Sequence, residues 1–513
     1  MKQFVSFMLC LLAFSAASAQ VTTSSMSGHV QDEQGAPVVG ALVLATHTPS
    51  GTEYSAIVDG TGNYRIMNMR SGGPYSVKIS MLGFQTVLNE GINIALGDNY
   101  VLDVTLPIES TDLDEVVVTG TRSSILNSDR AGVATNINNR QLNVLPTVSR
   151  SISDFTRLTP QAGNSGSFGG RDTRYNNVSI DGAAFAQRFG LSTSNNYPGG
   201  DAQPISLDAI QEISVNLTPF DIRQSNFTGA NINAVTKSGD NSYHATAYTF
   251  QRFKSMTGDR VQDATVANAK TTSRQTYGAS VGGPIIKNKL FFFINGELEY
   301  KSFLGNQWQP STDGVGSAEN KISQTTIADL ERVSNFLKEK YNCDPGAYQN
   351  FGNSAADNYK IMARIDWNIS KNHKLMVRYN DVKSQDDNLV SGASTPGGVR
   401  LNNAGRNSIN SISFANTGYK QENRVRSITA ELNSVFSPKV SNKLLASFTN
   451  INDTRKTDGD LFPFVDIMRL GSDGKTYEGY MSFGTEIFSF NNGVLNNTFN
   501  ITDNVTIGLG QHT

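Results

Sequence analysis

The chain has 513 residues, a formal net charge of −2 and a charged fraction of 17%. This balance provides no basic field of the kind that nucleic-acid-binding proteins use, so we exclude nucleic acid as a partner. Hydrophobic residues make up only 38% of the chain. That fraction is low for a soluble enzyme of this size. It is typical of β-strands in which apolar and polar residues alternate, because only every second residue must then be apolar.

The first twenty residues, MKQFVSFMLCLLAFSAASAQ, have the three parts of a secretory signal peptide. A lysine gives a positive start, residues 4–14 form an apolar core, and small residues precede a cleavage site between Ala19 and Gln20. We therefore expect residues 1–19 to be removed on export. Cys343 would then be the single cysteine of the mature chain, which excludes an internal disulfide framework. No later apolar run is long enough to predict a membrane helix.

Residues 20–108 contain short alternating segments separated by turns rich in Gly, Asn, Asp and Pro, which predicts a β-sandwich. Asp59 begins the turn DGTGN, so we assign it a structural role rather than a catalytic one. The pattern GHVQDEQGAPVVGALVLA, followed by this turn and a tyrosine, resembles the carboxypeptidase regulatory-like module. That resemblance implies a non-catalytic, transthyretin-like sandwich. The five histidines are scattered, so the sequence predicts no metal site, no cofactor and no enzyme.

Residues 109–122 form a polar linker that carries a short strand-prone run, LDEVVVTG. Taken alone, the run is either a domain-ending strand or a segment that adds itself to a partner's sheet edge. Directly after the sandwich module, it resembles the TonB box of TonB-dependent outer-membrane receptors. The resemblance implies that the run is exposed in the periplasm. There TonB, energised through ExbB and ExbD, would pair with the run as an added strand and pull on it. The implied box residues are Asp112, Leu113, Asp114, Glu115, Val116, Val117, Val118, Thr119 and Gly120.

Residues 123–241 mix helical and strand patterns and predict an α+β domain. The expected short helices and strands lie at residues 151–158, 207–210, 212–217 and 231–236 and around Val178. The stretches GGRDTRYNNVSIDGAAF and TGANINAVTKSG resemble the plug of the same receptors. The plug residues so implied are Arg171, Asp172, Arg174, Asp181 and Gly182. We expect the charged ones to be hydrated or paired with a barrel wall; ordinary surface ion pairs are the alternative interpretation.

Residues 242–513 alternate apolar and polar side chains with a period of two. In NYKIMARIDWNIS, Tyr359 and Ile361 share one face, whereas Lys360 and Arg364 share the other. Short turns alternate with long polar stretches, as in outer-membrane barrels. The long stretches cover about residues 301–357, 384–424 and 453–497. A soluble sandwich, the alternative interpretation, seldom tolerates structureless loops of this length.

The first long stretch also contains Ile327, Leu330, Val333 and Leu337, whose spacing predicts a short amphipathic helix. We count about eight strands after residue 242, whereas plugged transporter barrels have about 22. Because eight strands enclose too narrow a lumen for a plug, we expect the chain to be about half of a receptor. The predicted fold class is mainly β: an N-terminal β-sandwich, an α+β plug, and the first strands of a 22-stranded transmembrane β-barrel.

The order of these segments resembles the TonB-dependent receptors over the whole mature chain, and most closely their Oar-like subgroup in Bacteroidetes-type bacteria. The glycan-importing SusC-like relatives rank second, because their plug stretch VxGVxV is not found here. The resemblance implies energised uptake of an unidentified ligand through the outer membrane of a Gram-negative cell, with outer-membrane lipid around the barrel. It adds a surface lipoprotein as a further candidate partner. A non-transporting adhesion barrel is the alternative function.

Overall fold

The computed structural model describes most of the chain between residues 21 and 508. The described residues are 21–108, 116–119, 134–147, 150–163, 166–185, 202–219, 224, 227–256, 258, 260–262, 264–265, 271–391, 405–471 and 473–508. Several predicted features lie outside these ranges. They are the signal peptide with its cleavage site at Ala19 and Gln20, and Asp112, Leu113, Asp114, Glu115 and Gly120 of the predicted box.

Two sheets form the N-terminal region. Their strands are β1 (Ser24–Asp32), β2 (Leu42–His47), β3 (Thr52–Ile57), β4 (Asn63–Met69), β5 (Gly72–Ser80), β6 (Val87–Ile94), β7 (Asn99–Val101), β8 (Val104–Leu106) and β9 (Val116–Thr119). One sheet has the order β4-β1-β7, with β8 also pairing with β1, and the other has the order β3-β2-β5-β6-β9. Met26, Val43 and Val77 are fully buried in the shared apolar core. The predicted β-sandwich is therefore confirmed.

A mixed sheet with short helices forms the middle region, which we call the plug. Its elements are β10 (Ala134–Asn138), α1 (Asn139–Val144), α2 (Ile152–Thr156), β11 (Asn177–Ile180), β12 (Ala183–Ala184), β13 (Ile210–Asn216) and β14 (Asn231–Thr236). The sheet order is β10-β13-β14-β11-β12, so β10 lies at one edge. Asn138 starts α1, because its side chain accepts a hydrogen bond from the Gln141 backbone and Gln141 bonds back to it. The helix predicted at residues 207–210 is a single 3-10 turn, Leu207–Ala209.

Eight long antiparallel strands, which we call the wall strands, form one sheet in the later region. They are β15 (His244–Phe253), β18 (Thr271–Ile286), β19 (Leu290–Phe303), β22 (Ser354–Asn368), β23 (His373–Asn388), β25 (Tyr419–Ser437), β26 (Val440–Thr457) and β29 (Gly493–Ile507), each paired with the next. In the described part of the chain, β15 and β29 each pair on one side, so the sheet is open. The eight predicted strands are all present.

The long polar stretches between wall strands contain short elements of their own. These are β16 (Arg260–Val261), β17 (Ala264–Thr265), β20 (Gln309–Ser311), β21 (Ile322–Thr326), α3 (Ile327–Tyr341), β24 (Ile412–Ser413), β27 (Val465–Leu470) and β28 (Tyr477–Phe483). The predicted amphipathic helix is thus confirmed as α3. Leu330 and Leu337 of α3 pack with Ile412, Phe414 and Met481 from two other stretches.

Besides the predicted helix, the long stretches contain short strands that the sequence analysis did not predict. Apolar residues from three different stretches form one shared core, so the sequence pattern predicts the helix but not the residues that it packs against. Among the described residues, no helix has the length and apolar character that crossing a membrane requires.

Candidate functional site between the plug and the wall strands

The wall sheet has an exposed apolar face and a buried polar face. In β22, Ile361, Ile365 and Trp367 are 47%, 46% and 41% exposed, whereas Lys360 and Arg364 are 5% and 8% exposed. Soluble proteins show the opposite arrangement, since charged residues are seldom buried there. An apolar outer face and a polar inner face are what a membrane barrel requires. The predicted alternation is confirmed, and the polar face lies against the plug.

The turn between β11 and β12 carries the central residue of this interface. Asp181 and Gly182 both have left-handed backbones, with φ of 43° and 75°, as two-residue hairpin turns require and as an Asp-Gly pair tolerates. Asp181 is 1% exposed. Its carboxylate accepts a hydrogen bond from the Thr236 backbone N–H at 2.9 Å and another from the Thr236 hydroxyl at 2.8 Å. The plug's own strands therefore fix this carboxylate in place.

Two arginines of the wall converge on this carboxylate. Arg378 in β23 donates to Asp181 Oδ2 at 3.0 Å, and Arg364 in β22 donates to Oδ1 at 3.4 Å. Arg364 also forms a bidentate pair with Asp366, with distances of 2.7 and 2.8 Å. Arg378 is fully buried and donates a further bond to the Thr429 hydroxyl at 3.1 Å. Because buried charges persist only when they are paired, these contacts tie the plug to the wall.

A second buried carboxylate joins plug and wall nearer the first strand of the sheet. Glu297 in β19 accepts hydrogen bonds from the Ser206 hydroxyl of the plug at 2.8 Å and from the Tyr248 hydroxyl at 2.6 Å. Lys360 in β22 lies 2.5 Å from its other oxygen and supplies the opposite charge. The plug is thus held by at least two separate polar contacts.

The start of the described chain lies between the plug and the wall. The Thr22 hydroxyl donates to the Glu431 carboxylate in β25 at 2.5 Å. The Val21 carbonyl accepts a hydrogen bond from the Asn233 amide in β14. A cavity of about 90 Å³ adjoins this point and is lined by residues of all three regions, among them Arg70, Asp181 and Arg364. It has room for several water molecules beside the buried charges.

The sandwich also covers one edge of the plug sheet. The Leu96 N–H, which follows β6, donates to the Glu212 carboxylate in β13 at 3.0 Å. The Leu96 carbonyl accepts a hydrogen bond from the Asn136 amide in β10 at 3.4 Å. Both strands at this edge therefore contact the sandwich.

The structure separates the five predicted plug residues into two groups. Asp181 and Gly182 are buried at the interface, whereas Arg171, Asp172 and Arg174 are exposed. The Asp172 side chain accepts the Arg174 backbone N–H at 2.9 Å and begins a 3-10 turn. The functional roles of all five stay predictions. The wall residues Arg364 and Arg378 are not part of the predicted site; their inward position in alternating strands is the sequence feature that could have indicated them.

Four residues of the predicted box, Val116–Thr119, form strand β9 at the edge of the sandwich sheet. They run parallel to β6, from Val87 opposite Val116 to Glu90 opposite Thr119. The backbone therefore lies along the β6 edge, whereas the sequence predicts a free segment; an uncovered strand edge is open to such pairing. That the run binds TonB stays a prediction.

Asp59 lies in a turn, where its carboxylate is bound by neighbouring groups of the same turn. Its carboxylate accepts hydrogen bonds from the backbone N–H groups of Thr61 at 2.8 Å and Asn63 at 3.0 Å. Partial burial opposes its charge, but these hydrogen bonds prevail and lower the pKa of Asp59. Within the described ranges, no three His, Cys, Asp or Glu side chains lie together in a way that could hold a metal ion.

Comparisons with known families account for most of this architecture. Residues 25–107 match the carboxypeptidase regulatory-like domain. Residues 235–303 and 302–513 match the outer membrane beta barrel domain, which is more than half of the chain. The chain belongs to the outer membrane beta barrel family. This outer-membrane barrel protein therefore carries the two domains in the order that the sequence predicts.

Two curated relatives are similar to the barrel protein in sequence. It is 29% identical to the TonB-dependent transporter Oar of Myxococcus xanthus over 302 residues, which are 55% of this chain and 27% of that protein. It is 24% identical to the TonB-dependent receptor P3 of Formosa agariphila over 416 residues, 77% of this chain and 36% of that protein. The chain thus spans about a third or less of their length. The predicted resemblance to the Oar-like receptors is confirmed, as is the outer-membrane location.

Among solved structures, the outer membrane transporter YddB from Escherichia coli is similar to this barrel protein. The identity is 11% and the TM-score 0.43, over 68% of this chain and 43% of that one. The two curated relatives are named as a transporter and a receptor.

Proposed function

We propose that this outer-membrane protein takes up a ligand by TonB-driven displacement of its plug. The observation that carries the proposal is the buried contact between Asp181 on the plug and Arg364 and Arg378 on the wall. Paired charges beside a cavity with room for water hold the plug at rest, together with apolar contacts from the wall residues Phe293, Met362, Val425 and Ile451. Water can replace the polar contacts when force is applied, because exposing a polar group to water costs less free energy than exposing an apolar one.

The coupling element of this proposal is the run Asp112–Gly120. TonB, energised through ExbB and ExbD in the inner membrane, adds a strand to this run on the periplasmic side, where the sandwich also lies. Main-chain hydrogen bonds then carry the load, as in other strand-addition complexes. Because β9 occupies the β6 edge through its backbone, TonB either binds the opposite edge of β9 or displaces it from β6.

The path of force leads from the box to the edge of the plug. The first described element after the box is β10, whose five residues pair with β13 from Ala134 opposite Asn216 to Asn138 opposite Glu212. Pulling on the chain before β10 loads an edge strand, which leaves a sheet more easily than a central strand. Leu96 of the sandwich contacts both β10 and β13, so the sandwich must yield before the edge opens.

The transported ligand is recognised by the loops and the upper surface of the plug, and its chemistry is not specified by this architecture. A surface lipoprotein that delivers the ligand is a further candidate partner. The proposal includes no catalytic step.

Substitution in the box tests the proposal directly. Val117→Pro removes a backbone donor from the strand, so binding of the purified periplasmic domain of TonB to the intact receptor should be lost in a pull-down. Val117→Ile keeps both the donor and the β propensity and serves as the matched control. Equal capture of TonB by the proline variant would contradict the proposal.

A further inference from the structure

The cavity of about 90 Å³ lies where the sandwich, the plug and the wall strands meet. Polar contacts between the sandwich and the wall lie beside it. The Asn368 amide donates to the Thr52 hydroxyl at 3.0 Å, and the Asn68 amide donates to the Asn442 carbonyl at 3.4 Å. Both wall residues adjoin short turns, which face the periplasm in outer-membrane barrels. The cavity is therefore part of a junction between the sandwich and the periplasmic end of the wall.

Two basic side chains that line the cavity have no carboxylate bound to them. Among the residues that the structure describes, neither Arg70 of the sandwich nor Lys374 of β23 forms an ion pair. The Lys374 ammonium donates to a backbone carbonyl of the adjoining turn at 3.2 Å and lies 4.2 Å from the centre of the Tyr54 ring. Arg70 acts at longer range on Asp366, whose two carboxylate oxygens are both bound by Arg364. Arg70 and Lys374 can therefore each bind a further anion.

The charge balance around the cavity is positive when the partners of the lining residues are counted. Every carboxylate at or beside the cavity has a basic partner other than Arg70 and Lys374. The pairs are Asp181 with Arg378, Asp366 with Arg364, Glu431 with Lys443, and Glu53, which acts on Lys374, with Lys371. The charges of Arg70 and Lys374 are therefore not compensated by these pairs.

The cavity also contains a hydrogen-bond donor without a partner. Ser71 lines the cavity and is 2% exposed, and its hydroxyl bonds to no group in the part of the chain that the structure describes. Leaving a buried polar group unbonded costs free energy, so such a group usually has a ligand or an ordered water as its partner. A hydroxyl beside an arginine and a lysine is a set of donors that suits the oxygens of a phosphate.

We propose that the cavity binds a small tetrahedral oxyanion of the phosphate class, held by Arg70, Lys374 and the Ser71 hydroxyl. An ion of five non-hydrogen atoms needs the space of a few water molecules, which the cavity provides. Arg70 and Ser71 belong to the sandwich, whereas Lys374 belongs to the wall, so the bound anion joins these two regions. Binding requires neither TonB nor displacement of the plug.

The experiment measures the binding of inorganic phosphate to the intact receptor in detergent. Isothermal titration calorimetry at constant ionic strength should show one saturable site. Arg70→Gln and Lys374→Gln should each weaken binding about tenfold, because a charge-assisted hydrogen bond is lost. Ser71→Ala should weaken it by a smaller factor. This third variant should fold as the parent protein does, because the hydroxyl that it removes has no partner among the described residues.

Two control variants remove an exposed charge from the same two regions. Lys78→Gln changes β5 of the sandwich, and Lys289→Gln changes the short turn after β18. Neither residue lines the cavity, so both variants should bind phosphate as the parent protein does. Sulfate should compete with phosphate, whereas chloride at the same ionic strength should not.

Three results would each overturn the proposal. The first is the absence of saturable phosphate binding by the parent protein. The second is binding by any of the three cavity variants as tight as that of the controls. The third is displacement of phosphate by chloride as readily as by sulfate, since that result would indicate general attraction of anions rather than a site for an oxyanion.

Discussion

Asp181 combines a left-handed backbone, near-complete burial and two arginine partners. Buried ion pairs contribute little to stability when compared with well-packed apolar residues of similar volume, because desolvation offsets their attraction. Charged partners can separate into water, so the pairing is reversible. It therefore suits the proposed function, in which the contact holds the plug and later releases it.

Asp181→Asn should loosen the plug. The substitution leaves Arg378 buried without its countercharge, which costs about 3 kcal/mol in comparable sites. Hydrogen exchange should become faster in β11 and β14 while the sandwich strands keep their protection. Asp172→Asn, an exposed change in the same motif, is the control and should leave exchange in the plug unaltered. Unchanged protection of β14 in the Asp181 variant would show that the contact does not retain the plug.

His47 makes the stability of the sandwich depend on pH. Burial, reinforced by the charge of Arg70, lowers the pKa of His47 to about 3, while its ring bonds to the Ser50 hydroxyl at 2.7 Å and lies edge-on to Tyr75. In the unfolded chain the His47 imidazole is protonated below about pH 6.5, whereas in the folded sandwich it stays neutral down to about pH 3. The contribution of the neutral His47 to the free energy of unfolding is therefore fully present above pH 6.5, and it decreases as the pH falls toward 3.

Lowering the pH from 7.5 to 5 should therefore reduce the free energy of unfolding of the sandwich by about 2 kcal/mol. Protection factors of β2 and β5 report the change, and His47→Gln should remove most of the pH dependence. If the glutamine variant responds to pH as the parent does, the buried imidazole is not its source.

At the scale of elements, the wall strands were predictable because their alternation is local. The exposure of Ile361 and the burial of Lys360 follow from the sequence period alone. The ion pairs were not predictable, because Arg364 and Arg378 lie 183 and 197 residues from Asp181 in the chain. Strand β6 has no clear sequence pattern, since Asn89, Glu90 and Gly91 interrupt its alternation.

A disulfide between β10 and β13 should block the opening of the plug edge. The Ser214 hydroxyl lies 2.7 Å from the Asn136 side-chain oxygen, so Asn136→Cys/Ser214→Cys places two thiols side by side. When the receptor is pulled by its box in a single-molecule experiment, the extension produced by β10 leaving β13 should vanish in the oxidised variant and return on reduction. Each single-cysteine variant is the control. If this extension persists in the oxidised protein, the plug opens at another place.

At the scale of the whole molecule, three regions share one interface. The wall presents polar side chains inward and apolar ones outward, the plug packs against the polar face, and the sandwich contacts both through Thr22 and Leu96. Phe293, Met362, Val425 and Ile451 of the wall join the apolar core of the plug. Sequence periodicity predicted the separate regions. The contacts between them depend on residues far apart in the chain, which no local pattern specifies.

The most direct test of the account is the lipid accessibility of successive residues in β22. Single cysteines are placed from Tyr359 to Trp367 in a Cys343→Ser background, spin-labelled, and probed in bilayers with oxygen as the lipid-soluble relaxant and a nickel chelate as the aqueous one. We predict high oxygen accessibility at positions 359, 361, 365 and 367 and low accessibility to both relaxants at 360, 362 and 364. Access of the aqueous relaxant to both sets of positions would contradict a membrane wall packed against a plug.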